Sequence, residues 1–312
     1  LTLRAPGRDE VRWPILLHRG ERHEPPRPID LPAHGVVPTG MAYVPAGRFL
    51  VGVRDEFQRP FLAGPPLHAI ESASFLIARD ETTWRDYLAF LHALPPAARR
   101  AHTPTAGILA GRDQLQLDDA GRGRARLHWQ GHVAEEGAPI QYPKRDRRQT
   151  VDWLATPVVG VSVADAGAYA AWLGRSGRVP NARLCTEWEW ERAARGGDDR
   201  PYPGGDRIDP DDDNLAETYN HVGEAMNPDE VGSHPAGTTL FGVRDMSGNV
   251  GEWTTSNSPP GSYYWRGGTY YTNGDIGGRT DVRQKMEPNN RDVTLGIRIC
   301  ADWADHLPRP RN

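Results

Sequence analysis

The chain has 312 residues, 25% of them charged and 38% apolar. That is enough for two ordinary domains or one large one, and too apolar for a wholly disordered chain. No run of 18 apolar residues occurs and no charged-then-apolar leader opens the sequence, so neither a membrane-spanning helix nor membrane contact by this segment is expected. A net charge of −4, from 37 basic and 41 acidic side chains, makes no electrostatic case for nucleic acid.

The 34 glycines and 28 prolines are spread without a period. This excludes collagen and calls for many turns and long loops. The only cysteines are Cys185 and Cys300. They are too few for a zinc cage, and either one bridge or two buried thiols fits them.

Residues 1–36 read as short extended pieces followed by a proline-rich linker. Met41 to Gly52 then reads as strand, turn, strand. A first helix is expected from Thr82 to Leu94. Trp84, Tyr87, Leu88, Leu91 and Leu94 share a face, Thr82 or Thr83 caps it, and Pro95-Pro96 stops it. Residues 101–150 are polar and irregular, as in an inserted hairpin or a surface excursion. A second helix is expected from Ser162, paired with Asp165, to Gly174. A third runs from Thr186, boxed with Glu189, to Gly196. From Gly197 onward helical periodicity is almost absent, so aromatic plugs and loop hydrogen bonds must hold that half.

Four clusters invite chemistry. His128 and His132, followed by Glu135 and Glu136, have the residue types of an iron or zinc site, but Gly131 and the flanks are not helical, so two loop histidines fit as well. The run Asp209-Pro210-Asp211-Asp212-Asp213-Asn214 is either a calcium-seeking acidic turn or a solvated one. It is not an EF-hand, because Asn214 and Asn220 stand where glycine and glutamate would be needed. Asp245 to Thr254 combines glycine-bent backbone with Glu252, which suits calcium or a loop-to-loop hydrogen-bond tie. Trp265 to Asn273 places aromatics and amides after paired glycines, suiting either a recognition surface or a core strand.

Several segments occur in an ordered series. They are Tyr43-Val44-Pro45-Ala46-Gly47-Arg48-Phe49, Pro157 to Ser162, Arg183-Leu184-Cys185-Thr186-Glu187-Trp188-Glu189-Trp190-Glu191 and Asp245 to Trp253. Arg266-Gly267-Gly268 and Gly296-Ile297-Arg298 close the series. This series resembles the formylglycine-generating enzyme (sulfatase-modifying factor) family over about residues 40–303. The resemblance implies an α+β, C-type-lectin-like formylglycine-generating-enzyme fold with few helices and much irregular structure, spanning 37–312 and preceded by a short β segment.

In the enzymes of that family two cysteines bind copper as thiolates and oxidise a substrate cysteine. The matching positions here are Thr272 and Gly277, neither able to hold Cu(I), so no copper is expected. The resemblance further implies structural calcium at Asn214 and the Leu215 carbonyl, and at Gly248, Val250 and Glu252. Residues 3–32 are similar to the end of a PEGA-type β domain. Glu81-Thr82-Thr83 and Gly296 to Cys300 look like modules attached to bacterial serine/threonine kinases, and a kinase, if one belongs to this protein, is expected upstream of Leu1 in the same chain.

The expected function is a non-catalytic binding or sensing module for a peptide, protein or small molecule. Its surface is expected at Trp265, Thr269, Tyr270, Tyr271, Asn273, Arg279 and Arg283. The alternatives are a metal-dependent oxidoreductase of the sulfatase-modifying or sulfoxide-synthase type, and a retroelement-diversified variable binding protein with Thr269 to Arg291 as its variable segment.

Overall fold

The computed structural model describes the chain except residues 18, 23, 26, 27, 110, 111, 122, 258 and 304–312, and omits the side chains of 107–109, 112–114 and 257. The three expected helices form. They are α2 (Trp84–Ala93), α4 (Val163–Arg175) and α5 (Glu187–Arg195), with two short ones, α1 (Arg59–Leu62) and α3 (Pro96–His102), among the described residues. Each long helix starts in a capping box, Thr83 with Asp86, Ser162 with Asp165 and Thr186 with Glu189. These boxes satisfy amides that would otherwise lack a partner at a helix start. Among the described residues between Gly197 and Trp303 the only helical pieces are two turns of 3-10 helix.

A four-stranded antiparallel sheet runs in the order Ala182–Leu184, Ile299–Asp302, Phe75–Ala78, Met41–Val44. A second sheet runs Arg283–Lys285, Pro260–Arg266, Gly251–Asn257, Leu295–Gly296, with the last strand parallel to its neighbour. Buried aromatics fill the space beside them. Tyr87, Phe90 and Tyr169 interlock with ring centroids 5.2–5.8 Å apart, and Trp84 meets Trp153 edge-on at 5.9 Å. Such tilted pairs add to their area burial.

The Cys185–Cys300 disulfide joins the residue just after the edge strand Ala182–Leu184 to the inner strand Ile299–Asp302 beside it, across 115 residues of sequence. It resolves the choice between a bridge and two thiols. Both residues are buried.

Of the two expectations for residues 101–150, the surface excursion is corrected and the segment is built of hairpins. Strands Thr105–Leu109, Arg112–Gly121, Arg124–Trp129 and His132–Glu135 form an antiparallel meander. Its Leu115, Ala125, Leu127, Trp129 and Ala134 join the main core. The segment is a covering layer, because alternation gives it one apolar face. The N-terminal pieces also pack on the body. Val11 and Trp13 are buried, and Pro14 lies against Gly196 and Gly197.

Candidate functional site

The loop 267–282 follows strand Pro260–Arg266 and is tied down on every side. Gly267 and Gly268 have φ of +96° and +75°, a region side-chain-bearing residues avoid. A Cβ at Gly268 would run into the Gly277 carbonyl. The Tyr270 amide donates to the Asn249 carbonyl at 2.9 Å, the Ala216 amide to the Thr272 carbonyl at 3.1 Å, and the Ser247 hydroxyl to the Gly278 carbonyl at 2.6 Å.

A buried ion network backs the loop. Arg266 donates to Glu191 Oε2 and to the Thr280 carbonyl, both at 2.7 Å. Arg195 pairs with Glu191 at 2.9 Å and with Asp281 at 3.4 Å. Arg283 pairs with Glu187 at 2.8 Å. Burial still raises the Glu187 carboxyl above its usual range, although Arg266 and Arg283 oppose the shift.

Positions 272 and 277 converge. A Cβ added at Gly277 would overlap Thr272 Cβ. The Thr272 hydroxyl is engaged locally, accepting from the Thr269 amide at 2.9 Å and donating to the Thr269 carbonyl at 2.8 Å. Beside this turn lies an open groove of about 410 Å³. Its apolar wall is Tyr202, Ile208 and Leu215, and Asp206, Asp209, Glu217 and Asp275 outnumber Arg207 along it.

The expected recognition surface is only partly a surface. Tyr271 and Asn273 are exposed, and Arg279 is half-buried and doubly bonded to Asp281 at 2.8 and 2.7 Å. Trp265, Thr269 and Tyr270 are buried, which removes them from any outer face. Tyr270 donates to the Val293 carbonyl at 3.2 Å, and burial holds its hydroxyl well above the usual pKa. Arg283 stacks on Tyr264 at 3.6 Å and is part of the ion network.

The residues expected to hold calcium come together but carry protein partners. Asn214 Nδ2 donates to the Asn227 carbonyl at 2.9 Å and to Asn249 Oδ1 at 3.1 Å, leaving its Oδ1 without a partner. The Leu215 carbonyl accepts from the Thr218 amide at 3.1 Å. The Gly248 amide donates to the Gly267 carbonyl at 2.5 Å and the Val250 amide to Glu81 Oε1 at 3.2 Å. Glu252 is already neutralised, because Arg298 donates to it at 2.6 Å and Trp190 Nε1 at 2.5 Å. Its charge is therefore compensated without a metal. Near it, burial and the Asp245 carboxylate push Glu81 well above the usual range, and burial pushes Asp245 up to about 6.

The histidine pair separates. His132 stands opposite Trp129 in the ladder and His128 opposite Val133. Alternation along the strand therefore sends the two imidazoles to opposite faces. His128 lies 3.0 Å from Asp118, and His132 packs on Tyr142. Among the described residues no cluster of three His, Cys, Asp or Glu side chains is arranged to hold a metal.

Sequence reasoning passed over Glu81, Arg145 and Asp229 as site residues. Arg145 sits in Lys144-Arg145-Asp146-Arg147-Arg148, which reads as a solvated charge run, yet it is buried.

This fold and its glycine-bent loop define a class. A family described as a sulfatase-modifying factor enzyme 1-like domain matches residues 31–303, and the chain belongs to that family. It is 30% identical to the formylglycine-generating enzyme of Mycobacterium tuberculosis over 71% of this chain and 75% of that protein. It is 36% identical to the inactive C-alpha-formylglycine-generating enzyme 2 of Mus musculus over 48% of this chain and 50% of that one. It is 30% identical to a hercynine oxygenase of Mycolicibacterium thermoresistibile over 78% of this chain and 54% of that one. The chain thus spans about half the length of the last two. Its fold is similar to that of PvdO from Pseudomonas aeruginosa, with a TM-score of 0.57 at 23% identity over 84% of this chain and 94% of PvdO.

Proposed function

We propose that the chain is a non-catalytic binding or sensing module whose ligand docks beside the loop 267–282. One observation carries this reading. The two positions that the family resemblance gives to copper thiolates converge here, but they are Thr272 and Gly277. The two sulfurs that the chain does possess as cysteine are bound to each other in Cys185–Cys300. The copper chemistry that the resemblance implies rests on a pair of thiolate ligands, and a disulfide supplies none.

The adjoining groove supports the choice of ligand. Four carboxylates against one guanidinium favour a cation, and the wall of Tyr202, Ile208 and Leu215 suits the methylene stem of lysine or arginine. A basic peptide is the fitting ligand class. Titration of the full chain with lysine- and arginine-bearing peptides, and with acidic peptides of equal length, tests this. Binding of the basic set alone is expected, weakened about tenfold by Asp275→Lys, a loss of about 1.4 kcal/mol. Equal binding of both sets contradicts the charge argument, and turnover of a cysteine peptide contradicts the non-catalytic reading.

A further inference from the structure

The Arg145 side chain is fully buried, and its guanidinium is enclosed on every side. Nε donates to the Ala225 carbonyl at 2.8 Å, Nη2 to the Asn227 carbonyl at 2.8 Å, and Nη1 to the Arg148 carbonyl at 3.2 Å and Asp229 Oδ1 at 2.7 Å. The rings of Tyr142 and Tyr219 cover its two faces, each centroid 4.2 Å from the guanidinium carbon. Three carbonyls and a carboxylate around one positive charge are the donor types that surround a hard divalent cation.

The location matters as much as the chemistry. Asn214 donates to the same Asn227 carbonyl that Arg145 holds. The family resemblance implies a structural calcium at Asn214 and the Leu215 carbonyl, and Asp229 folds beside them, its amide donating to the same Asn249 Oδ1 that Asn214 bonds. Here Asp229 is filled by other partners. Besides Arg145 it accepts from the Tyr219 hydroxyl at 2.8 Å and lies 3.0 Å from His234 Nε2. A divalent ion at Asn214 would face the guanidinium across low-dielectric protein, where like charges repel strongly.

We propose that Arg145, delivered by the segment 101–150, is a built-in cation that takes over the bracing task of a metal ion at Asn214 and Asp229, so that this chain folds without calcium. Arginine suits the task because its planar fork bonds several acceptors while its faces stack on aromatic rings.

The test uses the full chain. Elemental analysis after purification without chelator is expected to find no stoichiometric calcium, and melting is expected to be the same in calcium and in chelator. Arg145→Ala removes the guanidinium and leaves the Ala225, Asn227 and Arg148 carbonyls and Asp229 as an oxygen set. Its melting point is expected to fall by about 10 °C, the scale for breaking a buried ion pair, and to be restored in part by calcium but not by potassium. One bound calcium in the unsubstituted chain, or a lower melting point in chelator, overturns the proposal. So does an Arg145→Ala chain that loses stability with no response to calcium, since Arg145 would then serve packing alone. If that variant does not fold, the calcium and chelator measurements on the unsubstituted chain decide.

Discussion

Two pairs of positions approach each other closely in this molecule, 185 with 300 and 272 with 277. The first pair holds all the cysteine sulfur and lies sealed in the core beneath α5. The second lies at a groove and holds a hydroxyl and a hydrogen atom. The loop around positions 272 and 277 is thus closed without sulfur at either position. Scaffold and chemistry are separable, because the loop is held by backbone bonds and by Arg266, Glu191 and Arg195, none of which needs sulfur.

The sharpest way to probe the contrast is to weaken each side in turn. Cys185→Ser with Cys300→Ser releases a closure of 115 residues. Denaturant unfolding is expected to show a loss of about 4–5 kcal/mol. A loss under about 1 kcal/mol would mean that the bridge braces little. Behind the groove, Glu191→Gln leaves Arg195 and Arg266 buried with reduced compensation, and a loss of about 3 kcal/mol is expected. The 267–282 loop should loosen with it, read as faster amide exchange there than in α2.

Acidity distinguishes the regions too. Among the described residues the Asp213 carboxyl has a buried oxygen without a partner, and burial together with Asp245 raises its pKa well above the usual value. A carboxyl whose folded pKa is raised favours the folded state at low pH. That contribution fades as pH climbs through the folded value. With Asp245 at about 6, stability is expected to decline from about pH 4 through pH 6, and further on account of Glu81 and Asp213. Asp213→Asn is expected to flatten the decline, adding about 1–2 kcal/mol at pH 8 and almost nothing at pH 4. A flat profile in the unsubstituted chain would refute this. Smallest of all, Asn273→Ala should move stability by under about 0.5 kcal/mol, as for an exposed side chain, while weakening peptide binding.

How much could be read beforehand differs between regions for physical reasons. The helices were legible because Thr83/Asp86, Ser162/Asp165 and Thr186/Glu189 announce themselves locally. The meander's alternation is present in Gln114-Leu115-Gln116-Leu117 and in Ala125 to Trp129, but these runs are too short to mark four strands amid so polar a segment. Arg145 was hidden, since nothing near it in sequence foretells that Tyr219, Asn227 and Asp229 fold around it. Trp265 and Tyr270 read as surface residues because an aromatic flanking paired glycines looks alike in a groove and in a core. Their burial depends on partners such as Trp253 and Val293, which lie elsewhere in the chain.

The most direct test is to incubate the full chain with Cu(I), oxygen and a sulfatase-type cysteine peptide and to read the peptide by mass. The account predicts an intact peptide and no stoichiometric copper on the protein. An aldehyde in place of the peptide thiol, formed at a rate that rises with enzyme concentration, would contradict it.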